Sequence, residues 1–165
     1  MKLSQVKNSV DSVLKWILII LMALMTINVL WQVFSRFVLQ TPSSFTEELA
    51  RYMLIWVGIL GAAYVAGQKM HLAIDLLPTK LKGKSKAVLD IFIQSTILLF
   101  ALVVMVIGGV RLVVITLTLN QISAAMQIPL GYIYTVLPLS GALMVFYSYY
   151  FIISQIKMLK DIKAN

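Results

Sequence analysis

Residues 31–75, WQVFSRFVLQTPSSFTEELARYMLIWVGILGAAYVAGQKMHLAID, decide the fold. They read as the end of one apolar helix, a short polar turn at Pro42, a second apolar helix and the start of a polar connection. The same stretch carries the adjacent acids Glu47 and Glu48, the arginines Arg36 and Arg51, and His71, the single histidine of the chain. An apolar helix on each side of a turn too short to fold by itself is the pattern of a helical hairpin.

The rest of the 165 residues says where such a hairpin lives. The chain is 61% apolar and 12% charged, against about 45–50% and about a quarter in soluble domains. Its mean hydropathy is +0.94. The apolar residues fall in runs of the length a helix needs to cross a hydrocarbon core of about 30 Å. The reading is an all-α integral membrane protein, a single membrane domain over residues 1–165. Four transmembrane helices are expected at about residues 16–38, 48–67, 88–114 and 129–153. Ahead of them Leu3, Val6, Val10 and Val13 recur at helical spacing, which predicts an amphipathic membrane-surface helix over residues 1–15.

Composition also excludes function classes. With no cysteine the chain has no disulfide, thiolate metal site or thiol redox centre. One histidine cannot supply both ligands of a bis-histidine haem. The net charge of +8 comes mostly from lysines flanking apolar segments, as expected for topology signals and headgroup contacts rather than for nucleic-acid binding. The middle connection ends in Lys80, Lys82, Lys84 and Lys86, candidates for anionic lipid headgroups. The three arginines lie in or beside the other two connections, so the positive-inside rule puts both termini in the cytoplasm. The turn at Pro42 and the uncharged loop at residues 120–128 then face the opposite side.

The few polar residues are the candidate sites. Asn28 and Gln32 share a face of the first span with Ser35 and Arg36, and such side chains in lipid usually hydrogen-bond across helices, at about 0.6 kcal/mol each. Ser44 or Thr46 is positioned to cap the second helix, which places Glu47 and Glu48 at its favourable N-terminal end. Both acids are at ion-pair spacing from Arg51. Gly58, Ala62 and Ala66, broadened by Gly61, form a small-residue face suited to a partner helix. His71 and Asp75 are at pairing distance, with no nucleophile or metal set beside them. Arg111, inside the third apolar segment, is a candidate partner for Glu47 or Glu48. Pro138 is expected to kink the last span.

The succession WQVFSRF, TEELARYMLIWVGILGAAY and HLAIDLL resembles the small membrane subunit of TRAP transporters, the tripartite ATP-independent periplasmic transporters. The resemblance covers nearly the whole chain. It implies a heterodimer with a large membrane subunit in the bacterial inner membrane, served by a periplasmic substrate-binding protein. It further implies sodium-driven symport of organic acids of the sialic acid or C4-dicarboxylate type. Sodium is then expected on the large subunit, and this chain is expected to hold no cofactor or metal and to be no enzyme. The role implied is a non-catalytic scaffold that braces the moving subunit and helps dock the binding protein. The residues themselves leave one rival open, an autonomous small multispan carrier or channel acting as a homo-oligomer. An enzyme is disfavoured by the lack of a nucleophile, metal set or cofactor motif.

Overall fold

The computed structural model describes residues 2–41, 43–68 and 84–164. Helix α1 runs Lys2–Phe37 and α2 runs Ser44–Gly67. Helix α3, Lys84–Phe100, continues through a π-helical stretch, Ala101–Gly108, into α4, Gly109–Thr118. A short α5, Leu130–Tyr134, leads into α6, Val136–Ala164. Four stretches are long and apolar enough to cross a membrane, namely Ser4–Phe37, Ser44–Gly67, Ser85–Thr118 and Leu130–Lys157. The protein is a multi-pass helical membrane protein, and four crossings return both ends to one side.

Local chemistry sets the element ends. Ser43, in extended conformation, starts α2 by accepting a hydrogen bond from the Thr46 amide. The cap is thus one residue before Ser44, the earlier of the two positions expected from sequence. Asn120 ends α4 in the left-handed region, at φ 48°. Its amide donates to Leu117 O and the Gln121 amide donates to Thr116 O, both at 3.1 Å, the pairing that closes a helix when an Asn or Gly takes that conformation. Pro138 has no N–H to give the Tyr134 carbonyl, and the helix breaks there, between α5 and α6. The interruption falls at Thr135, three residues before the proline expected to kink this span.

The N-terminal segment differs from expectation. No break separates residues 1–15 from the first span, because α1 is one helix of 36 residues. At 1.5 Å per residue it is about 54 Å long, longer than a bilayer core of about 30 Å. Its orientation differs too. Val6, Val13 and Ile17 are exposed, whereas Leu14 is buried and Lys7, Asp11 and Leu18 are partly covered. Of the apolar stripe, Val6 and Val13 face outward while Val10 is partly covered, and the face carrying Leu14 packs on the bundle.

Helix α6 is the centre of that bundle. It packs against α2, α3 and the π stretch, while α1 packs on α2. In the last span 39% of the most apolar window is buried, against 11%, 17% and 11% in the other three. Leu14, Leu60 and Val136 join α1, α2 and α6 in one cluster, and Ala63, Ala66, Ala101 and Met144 join α2, the π stretch and α6 in another. The π stretch and the start of α4 approach α6 closely. A Cβ on Gly141 would lie 2.7 Å from Met105 Cβ, and one on Gly109 would lie 2.9 Å from Pro138 Cδ. Only hydrogen fits at those crossings, and close backbone approach through small residues is how helices associate in lipid.

Candidate functional site

Polar side chains gather at the two ends of the bundle, and each group ties distant parts of the chain together. At the end that carries the termini, Asp11 is the hub. One of its oxygens accepts from the Tyr147 hydroxyl at 2.6 Å. The other accepts from Lys7 Nζ at 2.6 Å and from Gln68 Nε2 at 3.2 Å. The Lys7 and Asp11 side chains are only 13% and 16% exposed, so the ion pair is largely sheltered from solvent screening. Lys7 also stands 5.8 Å and 5.9 Å from the ring centroids of Tyr147 and Phe151, within cation–π range. Gly67 makes room for the arrangement, because a Cβ there would lie 2.6 Å from Tyr147 Cζ.

At the opposite end Glu48 is the hub. Its carboxylate accepts from the backbone amides of Ala124 at 3.2 Å, Ala125 at 2.7 Å and Met126 at 3.0 Å. The Tyr52 hydroxyl adds a fourth bond at 2.6 Å. The amides belong to a single turn that Ser123 starts, its hydroxyl accepting from the Met126 amide and its carbonyl from the Gln127 amide. The loop is closed at its base by Ser123 N to Ile128 O and Leu130 N to Gln121 O, both 2.9 Å. A turn of this kind leaves its first amides without partners, and Glu48 supplies the acceptor from another helix.

Single bonds stitch the helices between these ends. Asn28 donates to the Thr46 carbonyl at 2.8 Å, joining α1 to α2. The buried Ser140 hydroxyl donates to the Ile59 carbonyl at 2.8 Å, and the Trp56 indole to the Ile133 carbonyl at 3.0 Å. Gln155 donates to Asp90 at 2.9 Å, tying α6 to α3.

The residues singled out in the sequence separate accordingly. Glu47 pairs with Arg51 across 3.4 Å on an exposed surface, a contact worth little in solvent. Glu48 joins neither Arg51 nor Arg111; it binds the loop. Arg36 and Arg111 are exposed, and among the described residues neither has an acidic partner. The small-residue face divides. Ala66 is buried in the chain's own core, Ala62 is exposed, and a Cβ on Gly58 or Gly61 would meet nothing within 4 Å. Eight residues of an α-helix turn through 800°, about 80° past alignment, so Ala66 falls on a different face from Gly58. Gln32 is partly covered and Lys86 is exposed. His71, Asp75, Lys80 and Lys82 lie outside the described residues, as does the side chain of Lys84. Among the described residues no three His, Cys, Asp or Glu side chains converge to hold a metal.

Sequence reading missed Asp11 as a hub and gave Glu48 other partners than the loop amides it binds. Asp11 reads as a polar residue on the far side of an amphipathic helix, and nothing near it points to Tyr147, 136 residues away. A signal for the second hub exists: Ser123 followed by Ala124, Ala125 and Met126 is a capped turn in need of an acceptor. No local rule says which carboxylate provides it.

Asp11, Glu48 and Asp90 are thus bonded within the four-span bundle, and the sequence that folds this way matches a known family. Residues 25–158 match the tripartite ATP-independent periplasmic transporters, DctQ component. The chain belongs to the DctQ family. It is a small TRAP permease subunit, as the resemblance implied. A Haemophilus influenzae protein described as a TRAP transporter small permease is 28% identical over 134 residues, covering 81% of each chain. The sialic acid TRAP transporter small permease protein SiaQ of Vibrio cholerae is 26% identical over 108 residues, 66% of this chain and 62% of its own. The sialic acid TRAP transporter permease protein SiaT of Haemophilus influenzae is 30% identical over 120 residues, 70% of this DctQ chain but only 18% of the SiaT chain. Membership of the family implies partnership with a large permease subunit.

Proposed function

We propose that this DctQ-family chain is the non-catalytic scaffold of a sodium-driven, binding-protein-dependent transporter of an organic acid in the inner membrane. The observation that carries this reading is the use of its polar groups. A carrier acting alone should offer ionisable or hydrogen-bonding groups to a substrate near mid-membrane. Here Asp11, Glu48, Asn28, Trp56 and Ser140 are bonded within the chain. A permanent, internally bonded bundle suits a stationary wall against which a larger subunit moves.

Other features support the partners. The match to 18% of the SiaT chain is consistent with this bundle working beside a much larger permease body. Sodium is assigned to that body, and this chain holds no cofactor. The lysine-rich ends favour a cytoplasmic location for both termini, which puts the Glu48-bound loop on the periplasmic side. That loop is preorganised by eight backbone and side-chain bonds, as a docking surface for a binding protein should be. The names of the relatives make sialic acid the substrate to test first, with a C4-dicarboxylate second.

The test is uptake into vesicles. Purified chain, large subunit and binding protein should together accumulate labelled sialic acid or a C4-dicarboxylate when a sodium gradient is imposed, and omission of any one should abolish it. Uptake by this chain alone would contradict the scaffold role.

A further inference from the structure

We infer that Arg111 forms an intermembrane-helix ion pair with a carboxylate of the large permease subunit, and that the face of the third span around it is part of the interface. The inference rests on the reading of this chain as the companion of such a subunit and adds a face and a contact to it.

The three arginines differ in how they are satisfied. Arg51 has Glu47 as its partner at 3.4 Å. Arg36 lies in the last turn of α1, where the carbonyl end of the helix and the membrane interface both favour a cation. Arg111 has neither. It lies seven residues inside the end of the span Ser85–Thr118, about 10 Å along the helix axis. It is exposed and has no acidic partner among the described residues. Glu48, its best candidate within the chain, is committed to Ala124, Ala125, Met126 and Tyr52.

Everything exposed around Arg111 is apolar or already bonded. Ile107, Val110, Val114 and Ile115 are exposed at 60%, 48%, 55% and 44%. The Thr118 hydroxyl donates to the Val114 carbonyl. One turn before Arg111, Gly108 is exposed, and the only atom near an added Cβ would be its own helix's Val103 O at 3.7 Å. A neighbouring helix can therefore come close beside the guanidinium. An isolated cation on an apolar membrane face is costly, and such residues face protein and pair. Bidentate geometry and a permanent charge suit arginine to a carboxylate on that neighbour. A lipid phosphate offers the same charge, and the crosslink below distinguishes it from a carboxylate of the large subunit.

The experiment uses the full complex purified from membranes through a tag on this chain. Arg111→Glu should lower recovery of the large subunit at least tenfold, while Arg111→Lys should retain most of it. A photo-crosslinking residue at Val114 should attach to the large subunit. Arg111 is exposed, so retention of helical circular dichroism by the Glu variant will show that folding is intact. Full recovery of the complex with Arg111→Glu would overturn the inference. So would a crosslink from position 114 to lipid only, with anionic lipid lost from the complex in Arg111→Glu. If wild-type chain recovers no large subunit at all, the failure lies with the proposed function.

Discussion

The carboxylate of Asp11 accepts a 2.6 Å hydrogen bond from the Tyr147 hydroxyl, joining the first helix to the last across 136 residues. Lys7 and Gln68 complete the group. The segment that precedes the first span is thereby fixed to the bundle. Tyr147→Phe should lower stability in detergent by about 1–2 kcal/mol, since it strips one bond from a charged acceptor but leaves two. Thermal unfolding checks this, and an unchanged midpoint would remove the group from the account.

Gly67 and Gly58 lie on the same helix and should respond differently to the same substitution. Gly67→Ala puts a Cβ 2.6 Å from Tyr147 Cζ, and overpacking of this kind costs about 1–3 kcal/mol. Gly58→Ala meets open space and should leave the isolated chain as stable as before. A melting series on the two purified variants separates them; equal effects would mean that Tyr147 moves freely.

Much of this was legible in the sequence and some was not. Span length and composition were enough for four crossing helices, because the hydrocarbon core dictates both. Pro138 marked the interruption at Thr135, because a missing N–H acts locally. The direction in which an amphipathic stripe points is not local. Val6, Val13 and Ile17 turn outward, because in a membrane the outside is apolar and Lys7 and Asp11 find partners inside. Glu48 was read by its neighbours in sequence, yet three of its four partners lie 76 to 78 residues ahead. The π-helical stretch at residues 101–108 left no mark in a uniformly apolar run.

Glu48→Gln keeps the shape of the side chain and removes its charge. The amides of Ala124, Ala125 and Met126 should then exchange with solvent faster, on the order of tenfold, because a charge-assisted bond to each becomes a weaker one. Hydrogen exchange followed by mass spectrometry reads this directly. Unaltered protection would show that Ser123 and the loop's own backbone bonds hold the turn without Glu48.

Ser140→Ala removes the bond to the Ile59 carbonyl from a site that is fully buried. Within a membrane bundle such bonds average about 0.6 kcal/mol, so the change should be small and the complex should still assemble. A loss several times larger would mark the α2–α6 contact as the weak point of the fold.

The open strip on α2 should matter only when a partner is present. Gly58→Leu fills space that nothing in this chain occupies. It should leave melting of the isolated chain unchanged while weakening association with the large subunit. Intact co-purification of this variant would move the interface off α2.

The most direct test of the central claim is recovery of the tagged chain from its native membranes in mild detergent. The account predicts a one-to-one complex with a membrane protein several times its size. Recovery of the chain alone, as a stable homo-oligomer, would contradict it.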